Sequence, residues 1–128
     1  MRERRKRLHV PKVMIVDDDR TTVGLLSTLL ELDGFDVVMA ADGESAFDLA
    51  VKENPDAFLV DYHLADHIGS DFIKKLRGAE KFKKSPVILA SGLDKEDEAK
   101  EAGADHFLQK PFDPGDLVDI LKKSLGMS

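Results

Sequence analysis

Three short apolar runs stop at residues that can do chemistry. Val13-Met14-Ile15-Val16 runs into Asp17, Asp18 and Asp19; Ala57-Phe58-Leu59-Val60 runs into Asp61; His106-Phe107-Leu108-Gln109 runs into Lys110-Pro111. A short apolar run bounded by polar residues is the pattern of a buried parallel strand, and open α/β sheets bind ligands beyond the carboxyl ends of their strands. The carboxylates and the Lys110 ammonium are therefore expected on one rim. Carboxylates at close range repel and raise one another's pKa, so the cluster calls for a divalent cation, and hard oxygen ligands favour Mg2+ or Mn2+. The chemistry this points to is metal-assisted phosphoryl transfer.

The elements that would position these residues follow from periodicity. Asp19 is placed to cap a helix with Val23, Leu26, Leu29 and Leu30 at helical spacing, closed by Asp33-Gly34. Residues 35–40 read as a second strand. Asp42 opens a helix with Ala46, Phe47, Ala50 and Val51 on one face, stopped near Asn54-Pro55. A loop from Asp61 to Gly69 precedes a helix with Phe72, Ile73 and Leu76 inward. Residues 87–90 make a fourth strand, and Asp94 opens a short, highly charged helix ending near Gly103. The last helix starts near Pro114, buries Leu117, Ile120, Leu121 and Leu125, and sets Lys122 and Lys123 at its negative end. Five alternations of strand and helix indicate parallel βαβ crossovers and a doubly wound α/β sheet.

A chain of 128 residues is one domain's worth of core. Without cysteine there is no disulfide, thiolate chemistry or cysteine zinc site. The apolar runs are far too short to cross a bilayer and none follows the basic N-terminus, so no membrane span or secretory signal is expected and the cytoplasm is the expected location. Six cations against Glu3 give the first twelve residues +5, leaving −11 for the rest of a chain of net charge −6. A basic arm on an acidic body can contact nucleic acid or anionic lipid. No aromatic residue interleaves the arginines for base stacking, so residues 1–11 are read as a flexible solvated arm, 12–126 as the domain, and nucleic acid is not expected as its partner.

These positions resemble the receiver domain of two-component response regulators, of the chemotaxis-regulator kind, from about Lys12 to Leu125. The resemblance is carried by Asp17-Asp18 after strand one, Asp61 after strand three, Gly69 eight residues on, Ser91 after strand four and Lys110-Pro111 after strand five. It implies a flavodoxin-like five-stranded parallel sheet of order 2-1-3-4-5 with helices on both faces. It also implies that Asp61 is the phosphoacceptor, taking a phosphoryl group from a histidine kinase or phosphotransfer protein. Asp18 and Asp61 would bind Mg2+ directly, Asp17 chiefly through water, and the His63 backbone carbonyl would add an oxygen. Ser91, Gly92 and Lys110 would hold the phosphoryl group, Ser91 and Phe107 would act as the switch, and His63 and Leu93 would tune phosphate lifetime. The Lys110-Pro111 bond would be cis. Such a module is a signalling device rather than an enzyme, catalysing only its own phosphorylation and dephosphorylation. Its output would be a helix 4–strand 5–helix 5 face that engages a second copy or a downstream protein, combining the charged helix opening at Asp94, held weakly by alanines, with Lys122 and Lys123, charges of opposite sign that could pair across a two-fold axis or engage a partner.

Other readings of the same residues stay open in the sequence. Asp17, Asp18 and Asp19 make a reasonable cap cluster at a helix dipole. His63 and His67 stand at zinc-like i, i+4 spacing, but in an expected loop, where they are read as solvated; His9 and His106 receive no role. An aspartyl-nucleophile phosphatase of the haloacid-dehalogenase type needs a second Asp two residues past the nucleophile, and His63 stands there. A constitutive binding module would be expected to lose Asp61, Asp18 or Lys110, and all are present. Ala65 replaces a usual proline and Ile68 a frequent Asp before the glycine, so the loop is expected to be loosened or re-routed. Phe107 lacks a hydroxyl, so any switch there is the packing of a bare ring.

Overall fold

The computed structural model describes residues 9–64 and 66–127. Most of the basic arm and Ala65 of the loop lie outside the described residues. The elements are β1 (Lys12–Val16), α1 (Arg20–Leu32), β2 (Asp36–Ala40), α2 (Gly43–Glu53), β3 (Ala57–Asp61), α3 (Gly69–Gly78), a 3-10 turn (Glu80–Phe82), β4 (Val87–Ser91), α4 (Glu96–Ala102), β5 (His106–Gln109) and α5 (Pro114–Ser124). The strands are parallel in the order β2-β1-β3-β4-β5, as the resemblance implies.

Alternation along buried strands divides the core in two. Met14, Val16, Phe58, Val60, Val87 and Leu89 face α2, α3 and α4, meeting Ala46, Ala50, Phe72, Ile73, Leu76, Ala99 and Ala102. Val13, Ile15, Ala57, Leu59, Ile88 and Ala90 face α1 and α5, meeting Val23, Leu26, Leu30, Leu117, Val118 and Leu121. Each large side chain hidden this way contributes about 2 kcal/mol. Both faces of β1, β3 and β4 are therefore apolar, which is why these strands read as continuous runs rather than alternating ones.

Several local expectations are corrected. Strand β2 starts at Asp36, one residue late, because Phe35 is a buried anchor ahead of it. Helix α4 begins at Glu96 rather than Asp94: the Asp94 carboxylate accepts the Glu96 amide at 3.2 Å in a turn, and Lys95 is the boundary residue. Val51 is exposed, since Ala46, Phe47 and Ala50 already fill the inward stripe of α2 and position 51 lies at its flank. Val118, not foreseen, is buried in α5, while Leu29, Ile120 and Leu125 are half-buried. Lys122 reaches Asp33 at the end of α1 at 3.5 Å, a contact the sequence does not announce. As expected, α4 buries only Ala99 and Ala102.

One side chain ties the α3–α4–β5 edge together. The Arg77 guanidinium donates to the carbonyls of Gly103 (2.9 Å), Phe82 (2.9 Å) and Ser85 (2.8 Å) and to the Asp105 carboxylate (3.0 Å). Asp105 in turn accepts the Val87 amide at 2.9 Å, which seats the start of β4 beside the start of β5.

Candidate functional site

Parallel register carries the chemistry to one rim. Val16 pairs with Val60, so Asp17 emerges beside Asp61; Asp61 pairs with Ala90, and Ser91 with Gln109, so Ser91 and Lys110 emerge next along the same edge. The ladders run on past the strand ends. The Asp17 amide donates to the Ala40 carbonyl (3.0 Å), Tyr62 to Ala90 (2.8 Å) and Lys110 to Ser91 (2.7 Å), fixing the backbone from which each functional side chain projects. The Lys110-Pro111 peptide is cis.

The three consecutive aspartates divide their work. Asp19 caps α1, its carboxylate accepting the Thr21 amide, the Thr22 amide and, at 2.8 Å, the Thr22 hydroxyl; that hydroxyl bond is the main cause holding its pKa down. Asp17 is buried, with one oxygen accepting the Asp19 amide at 2.9 Å and the other facing the Lys110 ammonium at 3.3 Å. Asp18 is exposed. Asp17, Asp18 and Asp61 each offer a carboxylate oxygen within 4.8 Å of the others. Oxygens around octahedral Mg2+ stand roughly 3 Å apart in adjacent positions and 4 Å across, so this donor set suits that ion.

The electrostatics of the cluster carry an unmet demand for positive charge. Lys110 lies 3.1 Å from Asp61. Burial raises the Asp61 pKa, the Lys110 hydrogen bond opposes the rise without cancelling it, and the Asp17 charge adds to it. For Lys110, burial alone would lower the pKa, yet hydrogen bonds and charge from Asp61 and Asp17 prevail and the net shift is upward. One ammonium shared between two shielded carboxylates leaves the Asp61 pKa above its ordinary value. A second cation would oppose that rise.

The other expected residues lie on β4, β5 and the segments that follow β3 and β4. Ser91 is fully buried; its hydroxyl oxygen accepts the Leu93 amide at 3.0 Å, which leaves its proton to donate elsewhere. Gly92 borders open space, since a Cβ there would meet nothing within 4 Å. Leu93 and His63 are exposed at the rim, and Phe107 is half-buried against the α2–α4 core. Gly69 is required by close approach, because a Cβ at 69 would collide with the Asp61 carbonyl oxygen. His63 and His67 lie in a loop, His67 turned to Asp66 at 2.8 Å and His63 edge-on to Tyr62.

Two contacts were missed in the sequence. Lys95 places its ammonium 4.8 Å from the centre of the Tyr62 ring, joining α4 to the residue after Asp61. Asp66 caps the start of α2 from the loop after β3. Neither partner is near in sequence, so neither periodicity nor local capping patterns could have found them.

Comparison with known proteins gives a consistent result. The family model described as "Response regulator receiver domain" matches residues 13–122. The transcriptional regulatory protein CpxR of Escherichia coli (strain K12) is 38% identical over 120 residues, covering 91% of this chain and 50% of that protein. The chain thus spans about half the length of that curated relative. The chemotaxis response regulator CheY4 of Vibrio cholerae superposes with a TM-score of 0.85 at 30% identity, covering 91% of this chain and 99% of that one. The receiver domain of the sensor histidine kinase PA1611 from Pseudomonas aeruginosa PAO1, solved with a magnesium ion coordinated in the active site cleft, superposes with a TM-score of 0.84 at 26% identity, covering 92% of this chain and 99% of that one.

Proposed function

This chain belongs to the response regulator receiver domain family of two-component systems, and on that premise we propose that Asp61 is its phosphoacceptor. The single observation that carries the reading is the Asp61 carboxylate at a strand end, paired with Lys110 and sharing a 4.8 Å cluster with Asp17 and Asp18. One Asp61 oxygen attacks the phosphorus of a phosphohistidine on a partner histidine kinase or phosphotransfer protein. The new O–P bond forms as the P–N bond breaks, and the imidazole leaves. Asp18 and Asp61 would hold Mg2+ directly, Asp17 through water, with the His63 carbonyl as a further oxygen; the ion would supply positive charge to the phosphoryl oxygens.

Lys110 stabilises charge on the transferring group, the Ser91 hydroxyl donates to it, and Gly92 leaves room and offers its N–H. Leu93 shields the acyl phosphate from water, and His63 stands beside the same path. The phosphatase reading gains nothing here, because the side chain two residues past Asp61 is the exposed His63, turned onto Tyr62. In this account the protein acts in the cytoplasm as a signalling module whose only catalysis is on its own phosphate. Its output runs through Ser91 and Phe107 to the face of α4, β5 and α5, where a second copy or a downstream protein docks.

Acetyl phosphate with Mg2+ should give a shifted band on Phos-tag electrophoresis that a chelator abolishes. Absence of any shifted band counts against the reading. For the switch, the phosphoryl mimic beryllofluoride should change hydrogen exchange at 94–102 and 106–110, with or without a rise in mass by light scattering. Unchanged exchange there removes the switch.

A further inference from the structure

The loop after β3 is fastened from outside itself. One Asp66 oxygen accepts the Gly43 amide at 3.0 Å and the other the Glu44 amide at 3.1 Å, so its carboxylate lies across the first turn of α2. That helix already has a cap of its own, Asp42, which accepts the Ser45 amide at 2.7 Å. His67 donates from Nδ1 to Asp66 at 2.8 Å, and its Cβ sits so close to Gly43 that a methyl there would approach it at 3.2 Å. A carboxylate complements the positive end of a helix. The Asp66 pKa is accordingly held down to about 2, chiefly by the Gly43 amide. By contrast α3, the helix this loop leads into, has Ile68 at its boundary and no side-chain cap. The loop's carboxylate serves a neighbouring helix instead of its own.

We propose that Asp66 is a positioning residue for the metal site, fastening the β3–α3 loop to α2 so that the backbone at His63 is held where its carbonyl serves the ion. This rests on the reading of the site given above. The base of the loop is closed by the Gly69 amide on the Tyr62 carbonyl (2.7 Å) and by the His63–Ile68 bridge. Beyond that base the Leu64 amide meets the His67 carbonyl at 3.2 Å, the Leu64 side chain is buried in the core, and Asp66 supplies the hydrogen-bonded tie to α2. A backbone ligand is only as well placed as the segment that carries it, and supports outside the ligand shell set metal affinity strongly.

Tyr62 is the only tyrosine in a chain without tryptophan, so its fluorescence reports on Mg2+ binding beside Asp61. Titrations should compare wild type with Asp66→Ala, Asp66→Asn and Asp42→Ala. Asp66→Ala is expected to weaken Mg2+ binding about tenfold, the lower end of the range for a lost outer support. Asp66→Asn, whose amide oxygen still accepts from the helix, is expected to recover most of that affinity. Asp42→Ala uncaps the same helix without touching the loop, so it should lower the melting temperature and leave Mg2+ affinity at the wild-type value. Wild-type affinity in Asp66→Ala, or an equal loss in Asp42→Ala, overturns the proposal. Hydrogen exchange without metal isolates the tie itself: faster exchange at 62–64 and 66–69 in Asp66→Ala supports it, and unchanged exchange overturns it. A wild type that binds no Mg2+ overturns the metal reading and, with it, the role given to Asp66.

Discussion

Replacing Lys110 with methionine removes the one ammonium that two shielded carboxylates share. Asp17 and Asp61 have side chains only 7% and 12% exposed, and their oxygens lie within 4.8 Å of each other. At an effective dielectric of about 20, two unit charges at that separation repel by roughly 3.5 kcal/mol. The variant also forfeits the attraction across the 3.1 Å and 3.3 Å contacts of Lys110. Solvent entering the vacated space screens part of this, so the net loss near pH 8 without metal is expected to be about 2–4 kcal/mol, within the range for breaking a shielded ion pair. That corresponds to a drop of about 10 °C in melting temperature for a domain of this size. The pH dependence has a definite sign. Asp61 is already raised in the fold, so its ionised form costs stability as pH rises through the folded value, and loss of Lys110 raises it further. Lys110 itself is raised, so its contribution in the wild type is intact throughout the neutral range. The gap between wild type and Lys110→Met should therefore widen from pH 5 to pH 8 and narrow again with saturating Mg2+. Melting curves followed by circular dichroism at the two pH values, with and without Mg2+, make the measurement. A variant that melts with the wild type at pH 8, or a gap that does not shrink on acidification, refutes this reasoning.

Three further outcomes are expected. Asp18→Ala should weaken Mg2+ binding at least about tenfold with little change in melting temperature, because Asp18 is exposed and its carboxylate has no other assigned work; isothermal titration reads this, and unchanged affinity takes Asp18 out of the site. Leu93→Ala should speed dephosphorylation by uncovering the acyl phosphate to water, and a slower decay measured on Phos-tag gels contradicts shielding. Arg77→Ala should cost about 2–4 kcal/mol in urea unfolding, since it removes charge-assisted bonds to four carbonyls and Asp105 and strips packing from the α3–α4–β5 edge; a loss under about 0.5 kcal/mol, the range of an ordinary surface substitution, shows that those bonds contribute little.

What the sequence reveals here divides along a physical line. Strands β1, β3 and β4 are buried on both faces, so each appears as an uninterrupted apolar run, and the residue at its end is marked by the change to polar. Asp17 and Asp61 were legible for that reason, Lys110 followed a shorter run at half-buried β5, and Ser91 came with the family resemblance; parallel register then brings them to one rim. Periodicity leaves the strand order open; the family resemblance implied it. Helix flanks were less legible, as Val51 and Val118 show, because the boundary of a buried stripe depends on which neighbour arrives. Long-range polar ties were not legible at all. Asp66 on α2, Lys95 over Tyr62, Lys122 on Asp33 and Arg77 on Gly103 and Asp105 all join residues whose proximity exists only after folding.

The central claim is that Asp61 alone accepts the phosphoryl group. Intact-mass spectrometry of wild type and Asp61→Asn, each incubated with acetyl phosphate and Mg2+, tests it most directly, with hydroxylamine to identify an acyl phosphate by its lability. A single hydroxylamine-labile phosphoryl adduct on the wild type and none on Asp61→Asn is the expected result. An adduct of equal occupancy on Asp61→Asn, or none on the wild type, contradicts the account.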